Sequence, residues 1–192
     1  MNKTTLDAAN GLYPSLTTIV GAMVEGKANF LTIAHVGIMN HGAPQYLSIG
    51  LGRSHYTNIG IHESGVFSIN VPSRELVVKT DYVGLVSGKN TDKSDVFELF
   101  QGKTGAPLIA ECPVVMECRV ERVVEFSTHE VFVGEIVETY ADETVLSGGK
   151  IDVAKLDPLL FDMSSVKYWS LGQEVAPCWR IGKEMKRAVR GE

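Results

Sequence analysis

The sequence predicts a mainly β protein, an antiparallel sheet closed or nearly closed into a barrel with two or three peripheral helices. Three observations carry this. Apolar runs rich in Thr, Ile and Val dominate the first third of the chain; residues 114–121 and 129–140 alternate with a period of two; and only a few short stretches have helical spacing. Many evenly spaced strands with so few helices favour closure, which removes exposed sheet edges.

Residues 16–23 and 30–36 read as a strand pair joined by the turn Glu25-Gly26-Lys27, and residues 45–51 follow as a third strand after Asn40-His41-Gly42. The turn Gly52-Arg53-Ser54 leads into a short helix starting near His55, then into a fourth strand at 66–71. Pro72-Ser73-Arg74-Glu75 starts a second helix, with Ser73 as its cap and Leu76, Val77, Val83 and Val86 on one apolar face as far as Gly88. After a polar loop, residues 95–100 read as a short helical piece bounded by Gly102 and Gly105. Val114, Met116, Cys118 and Val120 then alternate with Val115, Glu117, Arg119 and Glu121, giving a half-buried strand with one mostly charged face. It forms a hairpin with residues 129–140 through Phe126-Ser127-Thr128, and strands of this length favour antiparallel pairing. Beyond Thr144 the pattern fixes no element.

Composition narrows the function. At 192 residues, 44% hydrophobic and 21% charged, the chain (1–192) reads as one domain that buries a core without disulfides or metals. A formal net charge of -5 argues against nucleic acid as a partner, and the basic tail at 183–190 reads as a solvated end. No apolar segment has signal-peptide or membrane-span length, so no membrane partner and a cytoplasmic location are expected. Cys112, Cys118 and Cys178 show no CxxC spacing and read as reduced and mostly buried. The histidines His35, His41, His55, His62 and His129 show no HExxH or paired spacing, so no metal site is expected, and the absence of GxSxG leaves hydrolase chemistry unsupported.

The stretch Gly52-Arg53-Ser54-His55-Tyr56-Thr57 carries the anion chemistry. Arg53 offers a planar fork of donors, Ser54 and Thr57 offer hydroxyls, and a helix starting near His55 aims free amides and a positive dipole end at one place. The competing reading is that Ser54 caps the helix, Gly52 makes the turn and Arg53 is solvated. Asn29, Thr32 and Ala34, followed by Ser48 and Gly50, put small and polar residues on a wall that otherwise carries larger aliphatics, leaving room for a flat ligand. A second donor set, Ser87 and Gly88 with Asp92-Lys93, follows the second helix, where Lys93 supplies a point charge for the same anion.

These motifs, in the order Asn29 and Thr32, Gly52 to Ile59, Phe67-Ser68-Ile69-Asn70, Ser87-Gly88, Asp92-Lys93, Pro107-Leu108-Ile109 with Cys112-Pro113, and His129 with Val133-Gly134-Glu135, resemble the flavin reductase-like, FMN-binding split-barrel family, and within it the flavoredoxin branch. The resemblance implies a six-stranded antiparallel split barrel, a homodimer, and noncovalent FMN near the dimer interface. Carried across, Asn29 and Thr32 face the polar edge of the flavin ring, Arg53, Ser54, Thr57 and Lys93 hold its phosphate, and Ser87 and Gly88 approach it from their loop. His129 resembles the histidine before the Gly-Glu strand of NAD(P)H-dependent members, although Ser127-Thr128 stand where Gly-Asp is common. No GxGxxG follows a strand, so NAD(P)H as cosubstrate would bind transiently at the flavin face. The expectation is an FMN-binding oxidoreductase of flavoredoxin or flavin reductase type, carrying electrons from NAD(P)H or a reduced protein donor to a second acceptor. The alternative is a noncatalytic FMN-binding barrel that senses, stores or scaffolds.

Overall fold

The computed structural model describes residues 1–183 and 185; the rest of the basic tail at 183–190 lies outside the described residues. Seven strands form the main sheet: β1 (Thr18–Val24), β2 (Lys27–Ile33), β3 (Val36–Asn40), β4 (Tyr46–Gly52), β5 (Val66–Val71), β6 (Val114–Glu125) and β7 (His129–Ala141). Their order is β2-β1-β5-β6-β7-β4-β3, antiparallel throughout. The two edge strands, β2 and β3, are consecutive in the chain and separated by Ala34-His35 alone. Three residue steps reach no more than about 11 Å, so the sheet must curl until its edges meet. No ladder joins them. The fold is therefore a split barrel, with a seam at Ala34-His35.

The expected strand at 30–36 is thus two strands, which makes seven rather than six. Along β4, Leu47, Ile49 and Leu51 point into the barrel while Ser48, Gly50 and Gly52 point out. On β2, Leu31 and Ile33 point in, whereas Phe30 and Thr32 point out. Val20, Phe67, Ile69 and Phe132 complete the barrel core. Helix α1 (Thr57–Ser64) adds Ile61 to it and packs so closely on β1 that a Cβ on Gly60 would lie 2.0 Å from the Met23 carbonyl. Outside the barrel, Ile19, Phe30, Val83, Phe97 and Leu108 form a second cluster beneath helix α2 (Val77–Leu85).

Three expectations are corrected. The second helix does not run from Ser73 to Gly88: Arg74–Leu76 is a 3-10 turn, α2 follows to Leu85, and Ser73 makes no side-chain cap bond, bridging instead to Pro158. Residues 95–100 are not helical. Phe97 is drawn into the second core edge-on to Phe30, at 5.3 Å between ring centroids, and Leu99–Phe100 pairs with Leu108–Ile109. Glu117, placed by alternation on a charged face, is 0% exposed, because residues 103–104 fold over that face of β6.

The segment beyond Thr144 holds a short helix, α3 (Val153–Leu156), started by Asp152, whose side chain accepts from the Ala154 and Lys155 amides. A hairpin of Leu160–Asp162 and Lys167–Trp169 then pairs with Ser15–Leu16. Cys112 and Cys118 are buried free thiols, that of Cys118 pushed up to about 12 by burial, then by Glu117; Cys178 is exposed. Among the described residues no helix is long and apolar enough to cross a membrane.

Candidate cofactor site

The barrel seam opens into a recess of about 420 Å³ between the outer wall of the sheet and α2. Its floor is Thr32 and Ala34 at the seam with Gly50 and Gly52 of β4, and its far side is Gly84 and Leu85 of α2. The wall is flat because Gly50 and Gly52, at outward positions of β4, carry hydrogen instead of side chains. Recesses of this size hold cofactor-sized ligands, typically about 300–1,000 Å³.

His55, Gly84 and Leu85 also border a smaller, adjoining recess of about 200 Å³ at the start of α1, lined further by Ser54, Thr57, Ser87 and Gly88. Tyr56 occupies the cap position of α1 and makes no side-chain cap bond. Ser54 therefore does not cap the helix, and the amide end of the first turn faces this corner with its partial positive charge. Thr57 is buried, and its Oγ1 accepts from Asn29 Nδ2 at 2.7 Å, leaving its hydroxyl proton to be donated elsewhere. Gly88 is required here: a Cβ would lie 2.0 Å from Asn29 Oδ1 and 2.8 Å from the Tyr56 ring.

His55 stands where the two recesses join. Its Nδ1 is buried with no hydrogen-bond partner, and its pKa is lowered by burial first, then by His129 and Lys93. A neutral imidazole with an unpaired buried nitrogen, on a residue that borders both recesses, is a polar group left unsatisfied beside the site. His129 and His35 approach at 6.0 Å between ring centroids on the opposite rim. His129 Nδ1 pairs with Thr128 Oγ1 at 2.9 Å, so its Nε2 is left for the recess, and His35 Nε2 pairs with the Tyr13 hydroxyl at 3.0 Å.

Most of the expected residues border these adjoining recesses, but three expectations fail. Asn29 and Thr32 do not share a face, because β2 alternates: Thr32 points out beneath α2 and donates its hydroxyl to the Thr80 carbonyl, while Asn29 points toward α1. Ser48 does not border the recess. Its Oγ lies under Gly37 of the edge strand, 2.9 Å from where a Cβ on that glycine would sit.

Lys93 is the third correction. It is 3% exposed and donates all three ammonium protons to backbone carbonyls, of Phe30 at 2.6 Å, Val86 at 2.9 Å and Val83 at 3.1 Å. No donor remains for a phosphate. It clasps the end of α2 to β2 instead, while its neighbour Asp92 pairs with Lys27 at 2.6 Å. Burial pushes the Lys93 pKa down to about 8 from 10.5. Between those values the native state binds fewer protons than the unfolded one, so this lysine makes stability rise with pH from about 8 to about 10.5. Urea unfolding of the wild type and Lys93→Met at pH 8 and 10.5 tests this: the wild type gains midpoint relative to the variant, and equal slopes would mean that burial does not depress the Lys93 pKa.

The charge that Lys93 does not supply is available from Lys89. It is exposed and borders, with Arg53, Ser54 and His55, a recess of about 480 Å³ on the outer side of the same corner. The spacing pointed to Lys93; the packing of α2 on β2, which surrounds its ammonium with the carbonyls of Phe30, Val83 and Val86, takes it away from the anion. Arg53 lies on the hairpin turn, where Nε donates to the Phe126 carbonyl at 2.9 Å and an Nη to exposed Glu125 at 3.0 Å. An exposed pair of this kind is held weakly, by less than about 1 kcal/mol. Also outside the expected set are Asp81, Phe161 and Tyr168, which wall the recess from α2 and the C-terminal hairpin.

A flat slot, an unpaired buried nitrogen at its edge and a cationic, amide-rich corner beyond it fit a planar ring carrying a phosphate, as in FMN. Residues 10–170 match the family model described as the flavin reductase like domain, and the chain belongs to that family. Among solved structures it is similar to a flavoredoxin from Methanosarcina acetivorans, 42% identical with a TM-score of 0.93 over 96% of this chain and 100% of that one. It is also similar to the flavoredoxin of Desulfovibrio vulgaris (Miyazaki F), 32% identical with a TM-score of 0.87 over 94% and 100% of the two chains. A ferric-chelate reductase (NAD(P)H) from Archaeoglobus fulgidus is 31% identical over 56% of this chain and 70% of that protein.

Proposed function

We propose that this chain is an FMN-dependent oxidoreductase of flavoredoxin or flavin reductase type, holding FMN noncovalently and carrying electrons from NAD(P)H or a reduced protein donor to a second acceptor in the cytoplasm. The observation that carries this reading is the adjacency of the ring-sized recess and the anion corner at α1, which share His55, Gly84 and Leu85. FMN supplies the capacity to take up and release electrons; the protein supplies binding, orientation and electrostatics.

Gly50, Gly52 and Ala34 leave the space that the ring needs, and Leu85 and Phe161 keep water from its faces. The amide end of α1, with Ser54 and Thr57, binds the phosphate, and Arg53 and Lys89 neutralise its charge. His55 and His129 border the recess, and His129, whose Nδ1 is paired with Thr128, has Nε2 left to orient a ligand by a hydrogen bond. No acid, base or nucleophile of the chain is needed for electron transfer, in keeping with the lack of a triad. A homodimer is part of the proposal: Val78 and Leu85, 77% and 79% exposed on α2, give an apolar face beside the recess.

The visible spectrum of the purified protein tests this, recorded without oxygen before and after NADH, NADPH and reduced ferredoxin. Flavin absorbance that bleaches with a nicotinamide assigns a reductase, and bleaching with the protein donor alone assigns an electron carrier. Bound flavin that none of them bleaches leaves the noncatalytic barrel, and a colourless protein that takes up no FMN sinks the flavin reading itself.

A further inference from the structure

We infer that the C-terminal hairpin at residues 160–169 is a strap latched across the recess by Tyr168 and Asp81, and that the latch makes FMN a resident group rather than a substrate that passes through. This rests on the FMN reading above and adds how the site keeps its ligand.

The recess has three walls, and the hairpin is the only one outside the barrel and its packed helix. It contributes Phe161, Met163 and Tyr168 opposite the seam residues Ala34 and His35. Its inner strand is anchored at the base: Leu160 and Phe161 pair with Leu16 and Ser15, and the Thr17 amide donates to the Leu159 carbonyl at 2.9 Å. Its outer strand, Lys167–Trp169, pairs with the inner strand alone. Among the described residues, the bond that ties this outer strand to α2 is Tyr168 Oη donating to Asp81 Oδ1 at 3.0 Å.

The strap is built to move as one piece. Asp162 accepts from the Ser164 amide at 2.9 Å and the Ser165 hydroxyl at 2.6 Å, which stiffens the turn, and Val166 holds a left-handed φ of 53° that a β-branched residue rarely adopts. Phe161 bridges the base to the latch, 6.1 Å from the Tyr13 ring and 5.8 Å from the Tyr168 ring. Asp81 lies one turn before Gly84 and Leu85, which border both recesses. Closing the latch therefore joins the strap to the helix that walls the ring slot, and opening it removes one of the walls that would hold a ring. Burial and then the Asp81 bond push the Tyr168 phenol up to about 12, so it remains a proton donor through the neutral range.

FMN release is the test, followed by the flavin fluorescence that appears when the holoprotein is diluted far below its dissociation constant. In the wild type release is slow. Tyr168→Phe and Asp81→Ala each release FMN about five- to tenfold faster, the loss expected for one hydrogen bond. The double variant is no faster than either single one, because both remove the same bond. Hydrogen exchange over residues 160–169 gives a second reading: FMN slows it in the wild type and far less in Tyr168→Phe. A wild type that binds FMN but whose variants release it at the unchanged rate, or whose double variant shows the two effects multiplied, overturns the latch and leaves the FMN reading standing. A wild type that takes up no FMN overturns both.

Discussion

Replacing Arg53 and Lys89 together by alanine is expected to weaken FMN binding by about a hundredfold or more while leaving riboflavin nearly unchanged, since each charge-assisted hydrogen bond is worth about 1.5–3 kcal/mol and every 1.4 kcal/mol is tenfold. Only FMN carries the phosphate, so the ratio of the two affinities isolates that contact. The fold should tolerate the change: Arg53 gives up an exposed pair with Glu125 and a bond to the Phe126 carbonyl, and Lys89 is exposed. Raising the salt concentration should narrow the wild-type preference for FMN over riboflavin, because the corner at Arg53, Ser54 and Lys89 is open to solvent. Lys93→Ala is the contrasting case. It leaves the carbonyls of Phe30, Val83 and Val86 without their donor and should lower stability and both affinities together. Equal losses of FMN and riboflavin in the Arg53 and Lys89 double variant would move the phosphate elsewhere.

The sequence exposes local rules and hides those that depend on a distant neighbour. The strand at 66–71 and the start of the strand at 129 are read to the residue, because turn signals and period-two patterns are properties of adjacent positions. The small residues Ala34 and Gly50 on the wall and the turn at Gly52-Arg53 are legible for the same reason. Asn29 and Thr32 show how far this goes: both were expected at the ligand, yet parity along β2 sends them to opposite faces. Lys93 was expected at the anion as well, and what takes it away is the packing of α2 on β2. The hairpin at 160–169 has no strong alternation of its own, and it is ordered by pairing with Ser15–Leu16, which lies some 145 residues earlier in the chain. Tyr168 and Asp81 meet across 87 positions, and no spacing rule predicts such a contact.

Glu117 is the strongest case of a distant neighbour overriding a local pattern, and Glu117→Ala carries the largest expected loss of stability. The carboxylate is wholly buried and accepts from the Lys103 amide at 2.8 Å, the Thr104 amide at 2.5 Å, the Thr104 hydroxyl at 2.6 Å and the Tyr140 hydroxyl at 2.8 Å. Gly102 is pressed against it, with room for no Cβ: one would lie 2.2 Å from Oε1. Burial raises the carboxyl pKa, but these hydrogen bonds outweigh it and hold the group below its ordinary 4.5. Removing it strands four donors, at about 1–3 kcal/mol for each that water cannot reach. A total near 3 kcal/mol corresponds to a fall in Tm of about 6–12 °C for a chain of this length. Because the folded pKa is depressed, the contribution is present above about 4.5 and is lost as the pH falls through the folded value. The gap in midpoint between the wild type and Glu117→Gln should therefore be wide at pH 7 and narrow in acid. FMN affinity measured well below Tm should not change, since Glu117 borders neither recess. A Tm within about 2 °C of wild type, less than 1 kcal/mol, would mean that the loop over β6 is held by its packing alone.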